Sequence, residues 1–159
     1  MEQGKVMGLY IAPEAKILPH AVEEVTAVSG RGLEGDRYFL QIGTFSQTPG
    51  TGRHVTLIAI EDLEAAQREH GLVLSAAEAR RNIVTRGVDM NALIGKDFRV
   101  GEVVLRGMRL SEPCKHLADV TGQDVFTGLL HRAGLRADII SGGMIRVGDE
   151  IKEIALEHA

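Results

Sequence analysis

Short apolar runs, each closed by glycine or a polar cluster, set the rhythm of this chain. Lys5–Ala12 (KVMGLYIA) and Val22–Ser29 (VEEVTAVS) read as strands, although Val22, Val25 and Val28 do not alternate cleanly. His54–Ile60 (HVTLIAI) reads as a buried strand running into the clearest helix, Glu61–His70, which Gly71 closes as a C-terminal cap. Ser75 followed by Glu78 fits a capping box for a short helix over Ala76–Arg80, and Arg81–Arg86 (RNIVTR) then reads as extended. Asp89–Ile94 is expected as a one-turn helix before Gly95. Phe98–Val100 and Glu102–Leu110 are expected as strands joined at Gly101. Val120–Ala133 is a second helical candidate ending at Gly134. Leu135–Ile140, Met144–Val147 and Glu150–Ala155 are short closing strands.

Many short strands, two or three helical insertions and no repeating βαβ rhythm predict a mainly β (α+β) fold. The expected form is a β-barrel of mostly antiparallel strands. No composition break or linker divides the chain, so residues 1–159 are expected to form a single domain. Glycine at 19 of 159 residues, scattered without period, fits many tight turns between short strands.

Apolar residues at 44% and charged residues at 25% are ordinary globular values. A formal charge of −4 argues against a general nucleic-acid binder, which usually carries a basic face. The N-terminal stretch has no apolar run of signal length and nothing approaches a membrane span, so a cytoplasmic protein without membrane contact is expected. Gln41–Arg53 (QIGTFSQTPGTGR) has the composition of a long surface loop and is expected to act as a lid.

The one cysteine, Cys114, cannot form an internal disulfide and stands in Ser111–Leu117 (SEPCKHL). Pro113 ends the preceding strand, and Lys115 and His116 are cations or potential cations that favour a thiolate. An inert buried thiol and a reactive one both fit this local chemistry. Cys114 and His116 fall short of the four ligands of a closed zinc site, and no other histidine has matching spacing.

Gly30–Gly35 (GRGLEG) is a literal G-x-G-x-x-G, but no helix and no acidic residue at nucleotide-binding distance follow it. It remains a glycine-shaped loop presenting Glu34, Asp36 and Arg37. Asp36 either caps its own turn and pairs with Arg37, as loop aspartates usually do, or belongs to a site. The Gly95-Lys96 pair lacks the other elements of a phosphate-binding loop. Arg80-Arg81-Asn82 enters a strand and reads either as a solvated face or as an anion site that Arg31, Arg37 and Arg53 could join.

Gly32–Arg37 (GLEGDR), Arg81–Val84 (RNIV), Gly95–Gly101 (GKDFRVG), Glu112–Cys114 (EPC), Gly142-Gly143 and Val147–Asp149 (VGD) together resemble the MOSC family in order and spacing. Domains of this kind include the C-terminal domain of molybdenum-cofactor sulfurases. The resemblance covers roughly residues 4–155. It implies a MOSC-type β-barrel and a functional Cys114 that either ligates molybdenum or carries sulfur as a persulfide. It also implies binding of the molybdenum cofactor (molybdopterin), with Asp36, Arg37, Arg81, Asn82, Lys115 and His116 as the residues expected to hold it. Some relatives fuse such a domain to a pyridoxal-phosphate desulfurase or to electron-transfer domains. This chain has room for neither, so no pyridoxal phosphate is expected within it. Two functions follow from the resemblance. One is an oxidoreductase for N-hydroxylated compounds that depends on a redox partner. The other is a persulfide carrier served by a cysteine desulfurase and not itself a catalyst.

Overall fold

The computed structural model describes residues 4–13, 18–36, 54–71, 73, 75–77, 79–110 and 134–154. Eleven strands are seen among them: β1 Gly4–Ile11, β2 His20–Val22, β3 Glu24–Val28, β4 Gly32–Leu33, β5 Val55–Ala59, β6 Ile83–Arg86, β7 Asp97–Val100, β8 Val103–Leu110, β9 Leu135–Ser141, β10 Gly143–Arg146 and β11 Glu150–Glu153. One α-helix, α1 (Ile60–His70), and a 3-10 turn at Asn91–Leu93 complete the elements of the described residues.

Strands β11, β7, β8, β9, β5, β6 and β1 follow one another in the large sheet, and β1 pairs back onto β11 through Gly4–Ile151 and Lys5–Glu150. This closes a seven-stranded barrel and leaves no free edge in the ring. All pairings in the ring are antiparallel except β5–β6, which α1 connects as a crossover. A second sheet, β10–β3–β4, adds Val25, Ala27, Leu33 and Ile145 to the same core as the barrel's Leu57, Ile83, Phe98, Leu105 and Ile139.

The run VTLIA of β5 is buried throughout because both of its faces are covered. Val55, Leu57 and Ala59 point into the barrel. Ile58 points outward and meets Leu63 and Ala66 of α1, along with Ala79 and Val84. Helix α1 has Glu61 and Asp62 in its first turn and Arg68 and His70 in its last, each favourable to the helix dipole. It ends as expected on Gly71, whose φ of 68° is left-handed and whose N–H donates to the Gln67 carbonyl at 3.0 Å.

The expected strand over Val22–Ser29 is two strands in different sheets. His20–Val22 pairs with β1 while Glu24–Val28 pairs with β10, and exposed Glu23 lies between them. That division explains the broken alternation of its valines. The expected helix over Ala76–Arg80 is also absent from the described residues. Ala79 N–H donates to Ser75 O and Arg80 N–H to Ala77 O as successive turns, and Arg80 takes a left-handed φ of 59°, which ends any helical run. The expected helix over Val120–Ala133 and the expected lid over Gln41–Arg53 lie outside the described residues.

Candidate functional site on the outer barrel face

Asn82 stands at the entry to β6, 5% exposed, with Thr56 of β5 on one side and β1 on the other. Its Oδ1 accepts from the Thr56 N–H at 3.0 Å and the Thr56 hydroxyl at 3.1 Å. Its Nδ2 donates to the Tyr10 carbonyl at 3.1 Å and to Asp36 Oδ1 at 3.2 Å. Two acceptances and two donations exhaust the capacity of a side-chain amide, which is what burial of such a group demands. Asp36, 2% exposed, also accepts from the Ala12 N–H at 3.0 Å. Its carboxylate therefore reaches across to β1 and β6 and is not confined to its own turn.

Beside this node two arginines share the outer face of the barrel. On β9, Leu135, Ala137 and Ile139 belong to the core, so Arg136 and Asp138 alternate outward. Arg136 is the cross-strand partner of Thr56 on β5 and of Arg109 on β8. Directly paired residues of an antiparallel ladder share a face, so two guanidiniums face the same way next to the Asn82–Thr56 node. Like charges so placed disfavour the pairing unless an anion or a carboxylate shares the field. Strand β8 ends at Leu110, four residues before Cys114.

Two residues further along, Arg106 pairs with Asp138 on β9 and with Asp97 on β7. Arg106 donates from Nε to Asp97 Oδ1 at 2.8 Å and from Nη2 to Oδ2 at 3.3 Å, a two-pronged contact. That hydrogen-bonded carboxylate raises the guanidinium's pKa above its ordinary value. His54, 5% exposed, lies just before β5, with its Nδ1 3.7 Å from Asp138 Oδ1. The pair is not an ion pair, because Nδ1 accepts the Ile139 N–H at 2.9 Å and so carries no proton. Burial pushes His54 below the usual imidazole value and the Asp138 charge pulls it partly back. The neutral ring carries its hydrogen on Nε2. A cavity of about 310 Å³ opens here, lined by Ser29, His54, Arg106, Met108, Asp138 and Ile140 among others.

A family model described as the MOSC domain matches residues 33–152. The chain belongs to the MOSC family. Among solved structures, the YUAD protein of Bacillus subtilis is similar with a TM-score of 0.80 and 19% identity, over 98% of each chain. YiiM from Geobacillus stearothermophilus gives 0.72 and 11%, over 96% of this chain and 75% of that one. YiiM from Escherichia coli gives 0.71 and 19%, over 100% and 73%. At these identities the likeness is one of fold. A comparison with curated proteins gives no match. MOSC domains are associated in general with binding of the molybdenum cofactor.

Of the residues expected to form the site of this MOSC domain, the structure brings Asp36 and Asn82 into contact. Arg81 precedes Asn82 and is partly buried, while Arg31 is exposed. Arg37, Arg53, Cys114, Lys115 and His116 lie outside the described residues. Sequence reading did not single out His54, Arg106, Arg109, Arg136 or Asp138. The alternation of Leu135, Ala137 and Ile139 with Arg136 and Asp138 was the available signal for β9. The facing of Arg136 by Arg109 depends on a register that only the folded barrel sets. Among the described residues no group of histidines, cysteines or carboxylates could hold a metal ion, and no helix is long and apolar enough to cross a membrane.

Proposed function

We propose that this MOSC domain binds the molybdenum cofactor with the Cys114 thiolate as a molybdenum ligand. It would serve as the catalytic part of a reductase for N-hydroxylated compounds, with electrons supplied by a partner protein. The observation that carries the reading is the Arg136–Arg109 pair on the outer face, beside the end of the strand that leads to Cys114. Cys114 follows Arg109 by five residues, a chain reach of at most about 18 Å.

The residues present fit the group. A molybdopterin carries an anionic phosphate, and guanidinium forks match phosphate oxygens in pairs. Arg136 and Arg109 would hold that phosphate, with Arg81 approaching from the β6 side. The Asp36–Asn82–Thr56 node would keep the strands beneath them in register. Lys115 and His116, next to Cys114 in the chain, favour the thiolate, a soft ligand suited to a metal bound through sulfur. When bound, the cofactor supplies two-electron redox chemistry. Conversion of an N-hydroxyl compound to the amine takes up two electrons from the partner and two protons from solvent, and releases water.

The test is the charge of the pair. Arg109→Glu with Arg136→Glu, expressed in a host that makes the cofactor, is expected to lose at least ten-fold in molybdenum and pterin content while keeping the fold. Retention of both at the wild-type level would overturn the reading. A persulfide trapped on wild-type Cys114 in protein without molybdenum would establish sulfur carriage in its place.

A further inference from the structure

We infer that the cavity beside His54 is a binding site for a small, uncharged molecule bearing a hydrogen-bond-accepting oxygen, such as an N-oxide or an amide carbonyl. This goes beyond the cofactor reading and does not depend on it. The donor is fixed by the fold. His54 Nδ1 is committed to the Ile139 N–H at 2.9 Å, so Nε2 is the protonated nitrogen, and it has no hydrogen-bond partner among the described residues. A buried imidazole held in one tautomer presents one donor in one direction. The Ser29 hydroxyl is likewise committed, donating to the carbonyls of Ile139 and Ile140 at 3.2 Å each. Its oxygen can then only accept.

Charge selects the class of ligand. Arg106 is flanked by two carboxylates, Asp97 at hydrogen-bond distance and Asp138 as cross-strand partner, while His54 is neutral. Among the described residues that line or flank this cavity, the two carboxylates offset the Arg106 charge, which disfavours an anion. The Nε2–H donor of His54 disfavours a cation beside it. A dipolar, uncharged oxygen satisfies both. Met108 and Ile140 supply apolar wall for the body of the ligand. A volume of about 310 Å³ corresponds to roughly ten waters, room for one ring and its substituent.

The test uses pyridine N-oxide, with toluene as a ring of similar size lacking the oxygen. His54 is observed by imidazole nitrogen NMR on the full chain. Expected are the Nε2–H tautomer, a saturable shift of Nε2 with the N-oxide, and binding at least ten-fold tighter than toluene. His54→Asn keeps an oxygen near the position of Nδ1 for the Ile139 N–H but removes the Nε2 donor. It is expected to fold and to lose the ten-fold preference. Cys114→Ser is expected to bind the N-oxide like the wild type, which separates this site from the cofactor reading. A ring protonated on Nδ1, no saturable shift, an undiminished preference in His54→Asn, or loss of binding in Cys114→Ser would each overturn the inference.

Discussion

Asn82 donates its side-chain Nδ2–H to Asp36 Oδ1 at 3.2 Å, joining residues 46 positions apart in the chain. The same amide clasps Thr56, and the same carboxylate holds the Ala12 N–H. Strands β1, β5 and β6 and the turn after β4 are thus pinned at one buried point. Such a network is costly to break because each orphaned buried group loses its partner without regaining water. Asn82→Ala is expected to lower unfolding stability by on the order of 3 kcal/mol. Asp36→Asn, which keeps an accepting oxygen, is expected to cost less than half as much. Urea denaturation of the two variants decides. A loss below about 0.5 kcal/mol for Asn82→Ala would show the node to be incidental.

His54 makes stability depend on pH. Its folded pKa is depressed by burial, so it is neutral in the native state, while the unfolded chain takes up a proton near the ordinary value of about 6.5. The unfolded state therefore binds more protons as pH falls below about 6.5. Its contribution to stability is complete above that value and declines below it, down to the folded pKa. Among the described residues, the charged groups that line the cavity with the ring are Asp138 on β9, whose charge opposes part of the shift, and Arg106 on β8, which is paired with Asp97. Stability measured from pH 8 to 5.5 is expected to fall more steeply for the wild type than for His54→Asn. Equal slopes would mean that His54 does not titrate differently on folding.

Two glycines with positive φ separate two kinds of constraint. Gly134, with φ of 108°, opens β9, and a Cβ there would run into the Leu57 carbonyl oxygen. Gly95, with φ of 77°, has open space around it. Gly95→Ala is expected to cost about 1 kcal/mol of backbone strain. Gly134→Ala adds a backbone clash, and its Tm is expected to drop by at least twice as much. Equal thermal shifts would contradict the packing at Leu57.

The barrel was legible in the sequence where the signal is local. The β5 run, the α1 periodicity and the Gly71 cap are each set by neighbours within a few residues. The rest depends on partners distant in the chain. Glu23 divides one apparent strand because its two halves meet β1 and β10, and neither pairing is written in VEEVTAVS. Gly-Asp-Arg and Arg-Asn pointed to residues worth watching, and Asp36 and Asn82 do meet. His54 looked like the first residue of a strand because its partner, Ile139, lies 85 positions away. Arg136 and Arg109 face each other through a register with an irregularity between Gly107 and Arg109, which no composition or spacing rule specifies.

Whether Cys114 holds the molybdenum of a bound cofactor, as proposed, is decided by metal analysis of Cys114→Ser beside the wild type. Both proteins would be purified from a cofactor-competent host, with pterin content and persulfide measured on the same samples. Expected on that proposal are near-stoichiometric molybdenum in the wild type, at least a ten-fold loss in Cys114→Ser, an unchanged fold and no trapped persulfide. Cys114→Ser retaining molybdenum at the wild-type level, or a wild type that carries persulfide and no metal, would contradict it.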